Sequence, residues 1–278
     1  MRIQAFKDKV VVVTGAASGI GAAIASRFAG EGARVGLLDM DEAGVQGAAD
    51  DLKAAGVDAV GLACDVASEA QCASAIKEII AHFGGVDVLV NNAGITQRSA
   101  FVETQTSVYR KVMDVNFFGS LYCTKASIDS LIARKGIIVV IESLAGVSPL
   151  LGRTGYCASK HALHGFFTSL RCELRERGVH IMLVCPGFVK TNLQTRALGG
   201  DGRVTNHPQS VVGNPTSAAK VAEAIYRGAL KRRQLLVLTP VGKLAYWISR
   251  LAPLWYERLM TRQVGAELVR GERPPAPD

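Results

Sequence analysis

Val10-Val11-Val12-Val13-Thr14-Gly15-Ala16-Ala17-Ser18-Gly19-Ile20-Gly21 is the stretch from which the fold is read. Four consecutive β-branched residues favour extended backbone, and an unbroken apolar run of this kind suits a strand covered on both faces. The alanine-rich segment that follows, to about Glu31, has helical composition and period. Between strand and helix lie three glycines, each with its own physical use. Gly15 permits the tight turn, Gly19 removes a side chain that would collide with a pyrophosphate, and Gly21 lets helix and sheet approach closely. The helix N-terminus adds amide groups and the positive end of a dipole, so this join predicts an anion site suited to a dinucleotide.

Outward from this unit the same rhythm repeats. Strand-length apolar runs at 34–39, 59–64, 86–90, 137–141, 180–185 and 235–238 are separated by segments with helical periodicity. Parallel neighbours need long crossovers, and right-handed ones dominate. The pattern therefore predicts a single-domain α/β Rossmann fold, a doubly wound seven-stranded parallel sheet with helices on both faces. The catalytic domain is expected over 1–240, with a substrate lid at about 187–215, where hydrophobic period lapses and Gly, Asn and Thr accumulate. Residues 241–278 are expected as a C-terminal apolar and basic helical extension, broken into two short helices at Pro253.

Candidate ligand residues stand at the carboxyl ends of the strands. Asp39 ends the second strand, 18 positions after Gly21, where a carboxylate can accept from both adenosine ribose hydroxyls. The same charge repels a 2′-phosphate, and Ser18 and Met40 supply no cation against that repulsion, so NAD is expected over NADP. Asp65, after the third strand, is suited to accept from the adenine amino group. Asn91, Ala93 and Gly94 fit close packing against the adenosine or the first crossover. For Asn92, building the turn is the alternative to touching the cofactor.

Ser143 ends the fifth strand, while Tyr156 and Lys160 lie four residues apart on one helix face. An ammonium beside a phenol stabilises phenolate, so Lys160 is expected to lower the Tyr156 pKa from about 10. Tyr156 would then take the proton of an alcohol as hydride leaves for nicotinamide, or return it in the reverse reaction, with Ser143 holding the substrate oxygen. Asn116 falls inside a helical stretch, where a buried carboxamide needs partners. It is expected to interrupt that helix and to support a proton-relay water near Lys160.

TGAASGIG at 14–21, NNAG at 91–94, Asn116, Ser143, YCASK at 156–160 and PG at 186–187 occur in an order that strongly resembles the classical short-chain dehydrogenase/reductase family, over about residues 7–240. The resemblance implies a metal-independent, NAD(P)-dependent oxidoreductase with Asn116, Ser143, Tyr156 and Lys160 as its catalytic tetrad. It also implies Lys160 bonded to the nicotinamide ribose, Ile20 and Val189 near the nicotinamide, and Thr191 on its carboxamide. Ser18, Val66, Pro186 and Gly187 join the expected cofactor contacts. A homodimer or homotetramer is implied, with helices around 106–133 and 155–177 at the interface.

Composition excludes several other classes. The 278 residues are 49% hydrophobic and 20% charged, which suits a large core and not a disordered chain. Cys64, Cys72, Cys123, Cys157, Cys172 and Cys185 form no CxxC pair, which argues against a disulfide framework or zinc ribbon and for reduced thiols in a cytoplasmic protein. The opening residues lack the long apolar region of a signal peptide, and no apolar run is long enough to span a bilayer. Cys157, His161 and His164 share a helix face but have no evident fourth metal ligand. His82 and His180 read as surface or element-end residues, and His207, in the lid, as a candidate substrate contact.

The formal charge is +8, of which residues 227–278 supply +6 through ten Lys/Arg against four Asp/Glu. No recognition helix or aromatic-studded strand supports nucleic-acid binding. The basic tail also carries Trp247 and Trp255 among many apolar residues. It is expected to make peripheral contact with an anionic membrane, to cover a greasy pocket, or to pack on the body or a neighbouring subunit.

Leu144, Val147, Leu150, Leu151, Phe188 and Leu193 surround the expected catalytic mouth with apolar side chains, and Arg153 and Arg196 are the exceptions. The expected substrate is a bulky lipophilic secondary alcohol or its ketone, steroid-, retinoid- or lipid-like. The alternatives are a reductase of smaller or carrier-linked keto substrates, and a non-catalytic, dinucleotide-responsive interaction protein.

Overall fold

A computed structural model describes residues 5–205 and 214–265. The chain runs β1 (Val10–Thr14), α1 (Gly19–Ala29), β2 (Arg34–Asp39), α2 (Glu42–Ala54), β3 (Ala59–Ala63), α3 (Glu69–Phe83) and β4 (Val88–Asn91). It continues through α4 (Thr106–Met113), α5 (Gly119–Ala133), β5 (Ile137–Ile141), α6 (Thr154–Leu174) and β6 (His180–Cys185). Then come β7 (Val189–Lys190), β8 (Thr216–Ser217), α7 (Ala218–Leu230), β9 (Leu235–Val237), α8 (Pro240–Leu251) and α9 (Pro253–Val264).

Seven strands form one parallel sheet in the order β3-β2-β1-β4-β5-β6-β9, which is the Rossmann-like fold read from the sequence. The valine run of β1 explains why both faces are covered. Val11 and Val13 enter one core with Ile24 and Phe28 of α1 and Ile225 of α7. Val10 and Val12 enter the other with Ile76 and Ile79 of α3 and Leu163 and Phe167 of α6. Alternate residues thus bury on opposite sides, and each strand needs apolar side chains at every position.

Two local features bear on the site. The helical stretch between β4 and β5 is interrupted at Asn116, as its sequence position led one to expect, by a π-helical turn at Asp114–Phe118 in which Asn116 is buried; such turns recur at functional sites. β7 and β8 pair in parallel, Val189 with Thr216 and Lys190 with Ser217, and so join the two ends of the 189–217 stretch. Its described part is also stitched to the segment after β4: Leu198 N donates to Thr96 O at 2.9 Å and Arg98 N to Leu198 O at 2.7 Å. His207 lies outside the described residues.

α8 ends at Leu251 and Pro253 opens α9. Among the described residues no helix is long and apolar enough to cross a membrane.

Candidate active site

The sheet order reverses between β1 and β4, and the loops leaving these two strands meet there. Thr14 Oγ1 accepts from the backbone amides of Asn92 and Ala93, both at 3.0 Å. Asn92 Nδ2 donates to the carbonyls of Thr14 at 2.9 Å and Gly15 at 3.1 Å. The Asn92 amide protons therefore hold the glycine turn, so its side chain acts as a positioning group.

The glycines differ in what they face. Gly15 has φ +65°, and a Cβ there would lie 2.9 Å from Ala93 Cα; a Cβ at Gly21 would collide with the Gly15 carbonyl. Gly19, at φ +62°, instead faces Thr191, whose Cγ2 would be 3.4 Å from an added Cβ. Ser18 starts α1 without a side-chain cap, so the first helical amides are not consumed by the residue before them. A cradle bounded by Gly19, Thr191 and these amides fits a pyrophosphate.

Asp39 is held by two backbone amides, Ala17 N on Oδ2 at 3.0 Å and Asp41 N on Oδ1 at 3.1 Å. Each oxygen keeps a further lone pair, so the carboxylate is oriented without being saturated. Asp65 Oδ1 accepts from Ala67 N at 3.0 Å. The side chain of Val66, an expected cofactor contact, is buried against Gly119, where a Cβ would come within 2.8 Å of Val66 Cγ2. Its packing partner is the start of α5, which residue type alone does not disclose.

Ser143, Tyr156, Lys160 and Asn116 come together at the end of β5 and the first turns of α6. Ser143 Oγ caps a short turn by accepting from Ala145 N at 3.1 Å, and the Ser143 side chain acts on the Tyr156 hydroxyl in the direction that favours phenolate. Asn116 Nδ2 donates to Ile95 O at 2.9 Å and to Ser159 Oγ at 2.8 Å, while Ile95 N donates to its Oδ1 at 2.8 Å. Ser159 Oγ in turn donates to the Tyr156 carbonyl at 2.8 Å. Asn116 is thus tied to the helix that carries Tyr156. Gly94 leaves room for this group, since a Cβ there would stand 3.1 Å from Asn116 Oδ1 and 3.6 Å from Lys160 Nζ.

Lys160 is buried and donates from Nζ to Ile141 O at 2.9 Å. Burial pulls its pKa down to about 8, against the opposing field of Glu142. Tyr156 is pushed up to about 12 by burial, against the opposing influence of the Ser143 side chain and the charge of Arg153. This corrects the expectation that Lys160 lowers the phenol. Desolvation outweighs the favourable interactions, the Lys160 ammonium points at a carbonyl with Nζ 5.7 Å from the ring centroid, and Arg153 is the cation that acts on the phenol.

Sequence reading missed Gln97 and Glu142. Gln97 is fully buried, and its Oε1 accepts from Tyr156 N at 3.1 Å, fixing the start of α6. Glu142 is buried beside Ser143 and pairs with His164. An acidic residue following a run of isoleucine and valine was the available signal for it. His161 Nδ1 turns to Cys157 O at 2.9 Å, so the three candidate metal ligands of α6 diverge. Among the described residues no three His, Cys, Asp or Glu side chains form a group that could hold a metal ion.

The expected substrate wall starts at Leu144 and Val147, directly after Ser143. Leu144 N donates to Pro186 O at 3.2 Å, and Gly187 lies near Leu144 and Thr239. Leu144, Leu151, Phe188 and Leu193 are half-buried, Val147 and Arg153 are buried, and Arg196 is exposed. Ile20 and Val189 pack on the edge of the first core.

A reversal point with a glycine turn, an acidic end to β2 and a tyrosine–lysine helix beside it defines a class, the oxidoreductases that use a nicotinamide dinucleotide. Within that class the chain belongs to the short-chain dehydrogenase family, whose profile matches residues 9–199. Dehydrogenase/reductase SDR family member 7B of Bos taurus is 34% identical over 276 residues, covering 96% of this chain and 85% of that protein. The protein of the same name from Xenopus tropicalis is 36% identical over 273 residues, covering 94% and 87%. A solved short-chain dehydrogenase/reductase from Burkholderia phymatum, in complex with NAD, superposes with a TM-score of 0.78 at 27% identity, covering 93% of this chain and 96% of that one.

Proposed function

We propose that the protein transfers a hydride between NAD and a bulky lipophilic secondary alcohol, interconverting hydroxyl and ketone. The observation that carries this reading is the convergence of Ser143, Tyr156 and a buried, anchored Lys160 where β5 meets α6. Ser143 holds the substrate oxygen, and Tyr156 takes its proton during oxidation or returns one during reduction. Lys160 binds the nicotinamide ribose and supplies positive charge, while Asn116 sets the position of α6 through Ser159 and supports the water that relays the proton outward. Bound nicotinamide supplies a hydride acceptor at C4 and, when oxidised, a second positive charge near the phenol. Beside that charge the Tyr156 phenol would give up its proton more readily than in the ligand-free protein.

NAD is preferred because the Asp39 carboxylate is fixed where the ribose hydroxyls belong and the exposed Met40 beside it carries no charge. Gly15, Gly19 and Gly21 shape the phosphate cradle, with Ile20, Ala93, Gly94, Pro186, Gly187, Val189 and Thr191 along the rest of the cofactor. The apolar wall of Leu144, Val147, Leu151, Phe188 and Leu193 supports a lipophilic substrate. The working unit is a homodimer or homotetramer joined through α4, α5 and α6.

The test is NADH production by purified protein over a panel of small, aliphatic, aromatic and steroid-like secondary alcohols. Selective turnover of bulky members is expected. Turnover confined to small polar alcohols would favour the smaller-substrate alternative, and silence across the panel would overturn the reading.

A further inference from the structure

We propose that α8 and α9 form a docking surface for an anionic lipid bilayer, placed so that the substrate mouth opens at the lipid. The benefit of that placement rests on the lipophilic-substrate reading above, but the docking and its test do not.

One face of α8 belongs to the protein body. Gly242 is buried, where a Cβ would lie 2.9 Å from Leu144 Cδ1, and Ser249 Oγ donates to Val147 O at 3.4 Å. α9 is seated next to it, with the Tyr256 hydroxyl donating to Ser148 Oγ at 3.2 Å and Val264 buried. At about 100° per residue, Val241, Leu244, Trp247 and Leu251 fall on a different face of α8 from Gly242 and Ser249. By the same count Leu254 and Trp255 of α9 fall away from Tyr256 and Val264. These six side chains are each between 49% and 79% exposed. Single exposed apolar residues are ordinary on a soluble surface, whereas a row of six on two successive helices marks a contact site.

Charge selects the occupant. Residues 240–265 contain Lys243, Arg250, Arg258 and Arg262 against Glu257 alone, and all four cations are exposed. Arg258 and Arg262 fall on the outward side of α9, between Leu254 and Trp255 in helical projection. Arg250 stacks over Tyr246 at 3.9 Å, which holds its guanidinium at the flank of α8. Hydrocarbon for the apolar row and phosphate for the flanking cations are both supplied by an anionic bilayer. A second copy of this chain would bring the same four cations to a two-fold contact and repel itself. Because α8 rests on Leu144 and Val147, docking would set the wall of the mouth beside the membrane, where lipophilic alcohols and ketones partition.

Trp247 and Trp255 are the chain's two tryptophans, so intrinsic fluorescence reports directly on the surface. Full-length protein should show a blue shift and cosediment with mixed phosphatidylcholine–phosphatidylserine vesicles. Both signals should weaken with phosphatidylcholine alone and with added salt. The Leu244→Glu/Leu251→Glu double variant, which keeps both tryptophans, should lower partitioning about tenfold or more, with an unchanged thermal unfolding midpoint as the check on folding. Arg258→Ser/Arg262→Ser should remove mainly the salt-sensitive part. Absence of vesicle binding, or binding indifferent to both double variants, overturns the proposal. So does self-association that the Leu244→Glu/Leu251→Glu variant abolishes without any vesicle binding, since the occupant is then a second copy. Vesicle binding needs neither cofactor nor substrate, so a protein that docks but oxidises no lipophilic alcohol defeats the functional reading and leaves this one standing.

Discussion

His164 Nδ1 lies 3.1 Å from Oε1 and 3.2 Å from Oε2 of Glu142, a carboxylate buried at the end of β5. Cys185 Sγ donates to the same carboxylate at 3.5 Å, and Glu142 is the charge that opposes the effect of burial on Lys160. The pair therefore lies behind the candidate active site rather than in it. Glu142→Gln keeps the shape and removes the charge, so Lys160 should lose its proton more readily. The alkaline limb of the pH–rate profile should move to lower pH than in the parent protein. An unmoved limb would reduce Glu142 to a packing role.

Lys160 also makes stability depend on pH. Its folded value is about 8 against an ordinary 10.5, so between those values the unfolded chain holds a proton that the folded chain has released. Stability therefore rises with pH through this window, and the cost of burying the charge is fully present below about 8. Lys160→Met removes that cost. Its stability relative to the parent should be greater at pH 7 than at about pH 11 by at most about 3 kcal/mol. Denaturant titrations at the two pH values measure the difference. Tyr156, raised to about 12, acts in the opposite sense above its ordinary value of about 10 but is common to both proteins. Equal differences at both pH values would rule out the buried charge as the source.

Tyr156→Phe should lower turnover by about 10²–10⁴ with little change in dinucleotide affinity. The ring still fills its place, and only the hydroxyl on which Ser143 acts is lost. Steady-state kinetics together with direct NADH titration separate the two quantities. Normal turnover would remove Tyr156 as the proton carrier.

Asp39→Asn should lower the preference for NAD over NADP, read as the ratio of kcat/KM values, by about tenfold or more. The amide keeps one acceptor for Ala17 N or Asp41 N, so the turn at the end of β2 is largely preserved. Adding Met40→Arg should push the ratio further toward NADP. An unchanged ratio in the double variant would place the ribose elsewhere.

Much of this molecule was legible without coordinates because its signals are local. A four-valine run and three spaced glycines state their requirements for burial and backbone freedom within a dozen residues, and crossover length then determined a parallel sheet. The candidate site residues were picked out by type and spacing, Tyr156 and Lys160 through one helical turn and Ser143 through its place at a strand end. Tertiary structure alone decided how these groups are tuned. Gln97 reaches Tyr156 from 59 positions away, Glu142 reaches His164 from 22, and Tyr256 of α9 reaches Ser148 from 108. Val66 turned into the core, and Asn92 turned back on the glycine loop, for the same reason. Propensity and periodicity act over a few residues, whereas desolvation and long-range pairing exist only once distant segments have packed.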